Sequence, residues 1–296
     1  MSLSSILLLR IAFASLIIPI IQKQIADLPG RIERMWWQFA FTSMLVCLLI
    51  VASGESIVHP AFWIVAAFGL PNALAYYAYL QAINISQSKC AVFSPFVHII
   101  SIGLALVLLQ EWQFLSWGVC IGIFLSVTGA FLMTSKKSEV AIHLETPNNP
   151  QESKRFWKLV GFYTLVWGLA LFLMKLFSEA GMSKYAFIFW WYIGSFFGST
   201  IVKWRAQEES HPLPIQGVTS MLVLASFLVV SMLLTYWSYE LAPIVIIQPI
   251  FQITGVFGTL FIGLFLFRER GLMSRREWIG IGSGGCGAIV IALALA

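Results

Sequence analysis

The chain has 296 residues, 59% of them hydrophobic and only 10% charged, with a formal net charge of +5 and a mean hydropathy of +0.86. A water-soluble chain carries roughly 25% charged residues, so this one has too little polar surface to cover a soluble globule. A soluble domain is excluded, and the clustering of charge between long apolar runs is the pattern of a multi-pass membrane protein.

Ten apolar segments long enough to cross a bilayer are expected, at 3–22, 35–53, 61–83, 90–109, 114–134, 156–178, 184–204, 216–239, 243–267 and 277–296. The expected fold class is therefore an all-α integral membrane protein of ten transmembrane helices. No cleavable leader is expected at the start. Ala12-Phe13-Ala14 mimics a cleavage site, but it follows no basic region and lies inside a continuing apolar run. Between the fifth and sixth spans, residues 135–155 are rich in Lys, Glu, Asn and Pro and serve as a polar linker. It divides an N-terminal five-helix repeat, 1–134, from a C-terminal one, 156–296.

The two halves align with each other. A shift of 158 residues places Phe93 on Phe251, Glu111 on Glu269, Gly122 on Gly280 and Gly129-Ala130 on Gly287-Ala288, without a gap. Trp36-Trp37 matches Trp190-Trp191 at a shift of 154. Apolar matches come cheaply in a membrane protein, whereas glutamates and glycines held in register indicate a duplication. Because five is odd, the second copy inserts upside down, which gives an inverted-topology repeat. Glu111 and Glu269, once per repeat, are expected to be structural and to hold the following turn.

Residues 79–133 contain an aromatic-rich third helix, a fourth broken at Pro95, then Leu-Leu-Gln-Glu111 and a Gly-rich fifth. The second half repeats this as Tyr239-Glu-Leu-Ala-Pro243, Pro249, Phe-Arg-Glu269 and Gly280, and Trp167-Gly168 is followed by Lys175. This pattern resembles the EamA-type repeat of the drug/metabolite transporter superfamily, over nearly the whole chain. The resemblance implies transport of amino acids, nucleotide-linked sugars, other metabolites or drugs. Two features depart from it: the first helix reads Ala-Ser-Leu-Ile-Ile-Pro19 in place of Trp-Gly, and the basic residue near the start of the second helix is absent.

Lysine and arginine fall unevenly. The breaks after the odd-numbered spans hold 15 of the 18, which by the positive-inside rule puts both termini on the non-cytoplasmic side. The family analogy suggests the opposite orientation. The membrane expected is a bacterial cytoplasmic (inner) membrane.

Ionisable groups within a span are costly and mark candidate sites. Arg10 in the first span can pair a substrate carboxylate or snorkel to the interface. Lys175 matches the family's lysine and can equally be an interfacial anchor. His98 follows Pro95 by one turn and titrates near neutrality, or serves as a hydrogen-bonded structural residue. Gln248 and Gln252 project from one face of the ninth span beside Pro249. Pro95 and Pro249 each free a carbonyl one turn earlier, toward a cavity or simply at a kink. Asn72 and Tyr76 in the third span, Trp167, Trp191 and Tyr236 complete the expected substrate-binding set. Trp36, Trp37, Trp63, Trp112, Trp117 and Trp278 fit interfacial belts, and glycine pairs such as Gly194/Gly198 fit close helix packing.

The four cysteines lie in apolar runs away from any metal-ligand spacing, so neither a cofactor nor a metal is expected. Expected partners are a small-molecule substrate and the lipid bilayer, not nucleic acid. A monomer suffices, because both halves of a cavity are present in one chain, and a dimer is an alternative. With no catalytic constellation and no phosphate-cradling loop before a lysine, the chain is expected not to be an enzyme. The leading expectation is a secondary, non-ATP transporter of a small zwitterionic or neutral metabolite, amino acids first, working by alternating access. Export of cationic or hydrophobic drugs and nucleotide-sugar exchange are the alternatives, and a membrane-embedded enzyme is a remote one.

Overall fold

The computed structural model describes residues 2–26, 30–134, 150–205, 213–261 and 275–295, which are helix and connecting turns without a strand. Six helices among them are long and apolar enough to cross a membrane: Leu3–Gln22, Arg31–Ser53, Phe62–Ala82, Lys154–Glu179, Lys184–Arg205 and Ile215–Leu241. Shorter apolar helices run over Phe96–Leu108, Trp117–Gly129 and Ile244–Gly255. These are the lengths and compositions of a multi-pass helical membrane protein.

The chain begins with α1 (Leu3–Arg10), which passes through a π-helical turn at Ile11–Ile17 into α2 (Ile18–Ala26). Pro19 accounts for that turn. Its ring crowds the carbonyl four residues back, and the wider register, in which the Ile18 N–H bonds the Phe13 carbonyl, gives the ring room. After α3 (Arg31–Ser53), the segments 61–83 and 90–109 form one element, α4 (Phe62–Leu108), of 47 residues, where two spans are expected from the sequence. The polar stretch Asn84 to Lys89 contains no Gly or Pro to stop a helix. A short 3₁₀ turn over Glu111–Phe114 leads to α5 (Trp117–Thr134). Then follow α6 (Pro150–Glu179), α7 (Lys184–Arg205), α8 (Ile215–Leu241), α9 (Ile244–Phe261) and α10 (Arg275–Leu295). Residues 150–155 of the expected linker thus belong to α6, while the rest lies outside the described residues.

The helices gather into two compact units: Met1–Tyr77 with Ala170–Ala242, and Ala78–Leu169 with Pro243–Ala296. In the first, α3 and α7 cross antiparallel. Lys203 Nζ reaches Glu33 at 2.7 Å, Trp36 Nε1 donates to Thr200 Oγ1 at 3.1 Å, and further along Phe39 meets Tyr192. Gly194 and Gly198 let α7 lie against the α4 backbone: a Cβ on Gly194 would stand 2.1 Å from the Ala66 carbonyl oxygen. An apolar cluster of Ile18, Ile25, Met221 and Leu224 seats α2 on α8, with Trp37 and Phe41 of α3 against it. One end of this unit gathers basic residues, with Arg31 and Arg34 beside Lys203 and Arg205. The other end carries Glu240, with Lys184 and Glu55 each within electrostatic reach of it.

In the second unit, α5 and α10 also pack antiparallel, now through glycine. Gly118 faces Ala294, Gly129 faces Gly280 and Gly284, and Ser283 Oγ donates to the Leu125 carbonyl at 3.0 Å. A Cβ on Gly129 would meet the Gly284 nitrogen at 2.5 Å, so backbone touches backbone there.

Candidate functional site

The first unit holds most of the polar residues expected to bind substrate, and nearly all of them have protein partners. Lys175 is only 6% exposed. Its ammonium donates to the carbonyls of Tyr239 at 2.8 Å and Ala242 at 3.2 Å and pairs with Glu179 at 3.2 Å. Those carbonyls end α8, so the lysine supplies the positive charge that a helix C-terminus favours. Asn72 Nδ2 donates to Ser195 Oγ at 2.9 Å, and that hydroxyl in turn donates toward the carbonyls of Trp191 and Gly69. This chain joins α4 to α7. Tyr236 is fully buried and donates to the Met182 carbonyl at 2.6 Å. Its ring packs on Phe187, which stacks on Trp191. Tyr76 points its hydroxyl at Gln38 Oε1, 3.5 Å away, and its ring edge at Phe39. Arg10 ends α1 at the start of the π-helical turn and lies within Coulombic reach of Tyr239.

The second unit is arranged otherwise. Glu111 is buried, and its two carboxylate oxygens accept the Ile244 N–H at 3.1 Å and the Val245 N–H at 3.0 Å. Expected to hold its own following turn, it caps the N-terminus of α9 instead, where free amides and the helix dipole favour an anion. Glu269, expected to be its repeat equivalent, lies outside the described residues, as does the side chain of Pro95. Further along α9, Gln248 Oε1 pairs with His98 Nδ1 of α4. Gly168 lets α6 approach α4, where a Cβ would strike Ile100 at 2.7 Å. Beside it Trp167, Tyr79 and Tyr163 form a triad with ring centroids 5.1 to 5.5 Å apart.

Gln252 stands out. It is 7% exposed, and its Nε2 is buried with no hydrogen-bond partner among the described residues. Three residues on, a Cβ built on Gly255 would meet no atom within 4 Å. Gln248, Gln252 and Gly255 fall at i, i+4 and i+7, on one face of α9. Pro249 lies inside this helix and, lacking an N–H, leaves the buried Val245 carbonyl without its i+4 donor. Gly122 and Gly280 are buried and belong to the helix packing.

Sequence reasoning named Gln252 but missed Gly255, because an isolated glycine carries no sign of the space beside it. It also missed Ser195 and Gln38, the partners of Asn72 and Tyr76. Spacing gives no hint of a hydrogen bond across 123 residues. Among the described residues no group of His, Cys, Asp and Glu is placed to hold a metal ion.

No family model matches the chain, and no curated protein does. A solved crystal structure of another protein is similar over 99% of this chain and 97% of its own, with a TM-score of 0.71 and 13% sequence identity. At that identity the likeness speaks for the fold.

Proposed function

We propose that the protein is a secondary transporter of a small uncharged or zwitterionic metabolite, built as two inverted five-helix repeats and working by alternating access. The observation that carries the reading is the pairing of repeat-equivalent helices. The sequence repeat matches α3 with α7 and α5 with α10, and each matched pair crosses antiparallel within its own unit. Two copies related by an in-plane axis meet in this way. Polar groups deep in apolar helices add support, since they are expensive unless they serve packing or a solute path. The gathering of basic residues at one end of the first unit is the asymmetry that orients a membrane protein, with that end toward the cytoplasm.

The test is transport by the purified protein in liposomes without ATP. Vesicles preloaded with an unlabelled solute should take up the same solute in labelled form by counterflow, scanned over amino acids, nucleosides, polyols, nucleotide-sugars and lipophilic cations. Counterflow of a metabolite above protein-free vesicles supports the reading. Transport of lipophilic cations alone replaces it with drug export, and no exchange of any solute removes it.

A further inference from the structure

Two properties of α9 occur together at one turn. Gln252 offers a buried amide nitrogen that no described protein group accepts, and the neighbouring position on the same face, Gly255, borders open space. A buried donor without a partner is costly, and a bound acceptor removes that cost.

The charges nearby decide which acceptor fits. The one buried charged side chain described in this unit is Glu111, and both its oxygens are occupied by the start of α9. They also neutralise the positive end that the helix would otherwise present to an anion. Lys154, Arg155, Lys158, Arg275 and Arg276 are all exposed. Among the described residues of this unit no buried cation stands to meet a carboxylate brought to Gln252, which would lose its water, a strongly unfavourable exchange. A neutral carbonyl or hydroxyl oxygen needs one donor, and Gln252 supplies it.

We infer that Gln252 and Gly255 form a solute subsite for an uncharged, oxygen-bearing small molecule. The solute's carbonyl or hydroxyl oxygen accepts from Gln252 Nε2, and its body fills the space beside Gly255. This rests on the transporter reading and narrows it from zwitterions to neutral solutes. Gln252 is then a specificity-determining residue, and Gly255 sets the size of the solute.

The test is ligand-induced thermal stabilisation of the detergent-purified full chain, in three sets of probes. The first is uncharged: primary amides, nucleosides and polyols. The second is amino acids and dicarboxylates, and the third polyamines and quaternary ammonium ions. A ligand that binds the folded state raises its melting temperature. At least one uncharged probe is expected to stabilise the wild type, and its affinity should fall at least tenfold in Gln252→Leu and in Gly255→Leu. Gly255→Ala should keep binding, since its Cβ meets nothing. All three variants are checked for an unchanged ligand-free melting temperature, and Gly255→Ala serves as the folded control if Gly255→Leu does not fold. Stabilisation by carboxylates or amines alone overturns the inference. So does binding indifferent to Gln252→Leu, or no response to the uncharged set. The same probes in counterflow separate the two readings. Exchange of a solute regardless of Gln252 defeats the subsite and leaves the transporter. Binding at Gln252 without exchange of any probe defeats the transporter and leaves the subsite.

Discussion

The two units differ in how they hold the polar residues expected to bind substrate. In the first, Lys175, Asn72 and Tyr236 are held by backbone carbonyls, a hydroxyl and a carboxylate. In the second, the same face of α9 carries one glutamine that is partnered, Gln248, and one that is not, Gln252. Burial alone therefore does not mark a binding residue in a membrane helix. A polar side chain there must find a partner, and what separates structure from site is whether the protein already supplies it.

The contrast can be broken most forcefully where helices touch through glycine. Gly194→Ala puts a methyl 2.1 Å from the Ala66 carbonyl oxygen and should cost about 3 kcal/mol, the upper part of the usual overpacking range. The same change at Gly255, where a Cβ meets nothing within 4 Å, should leave the melting temperature unchanged or slightly higher, since alanine favours helix. Equal losses at both positions would remove the open space on which the subsite depends. Next in size is Lys175→Met, which frees two carbonyls and a carboxylate and should lower stability by about 2–3 kcal/mol. If Lys175→Met instead melts normally and abolishes solute binding, the lysine is a ligand and the division between the units fails.

Glu111→Ala removes the cap from α9 and should cost about 2 kcal/mol, with Glu111→Gln keeping part of it through one neutral acceptor. Asn72→Ala loses one interhelical hydrogen bond and should cost about 1 kcal/mol. The smallest effect belongs to Gln252→Leu. Losing an unpartnered buried amide removes an uncompensated desolvation, so stability should hold or rise. A large loss of stability there, in the absence of solute, would show that the amide already has a structural partner.

Much of the fold was legible in the sequence because the bilayer imposes it. Long apolar runs separated by charge place the helices. Glycine pairs such as Gly194/Gly198 do pack helices closely, as their spacing suggests. The joining of two expected spans in α4 was not legible, since the polar residues between them neither break nor require a helix. The site was legible only as a list of polar residues. Lys175 and Gln252 look equally suggestive in sequence, each a polar group within an apolar span. Which of them is already satisfied depends on carbonyls and amides 64 or more residues away, as the Lys175–Tyr239 and Glu111–Ile244 bonds illustrate. The role of Glu111 followed the same logic. Its symmetry marked it as structural, but the helix end it serves is 133 residues distant.

The most direct test of the account is labelling of a cysteine placed at Gly255, in a background where Cys47, Cys90, Cys120 and Cys286 are replaced. Oriented vesicles would be treated with a membrane-impermeant maleimide from one face and then, separately, from the other, with and without the stabilising solute. Alternating access through a subsite on α9 predicts slow labelling from both faces and protection by solute from either. Reaction from one face alone, or none from either, would contradict it.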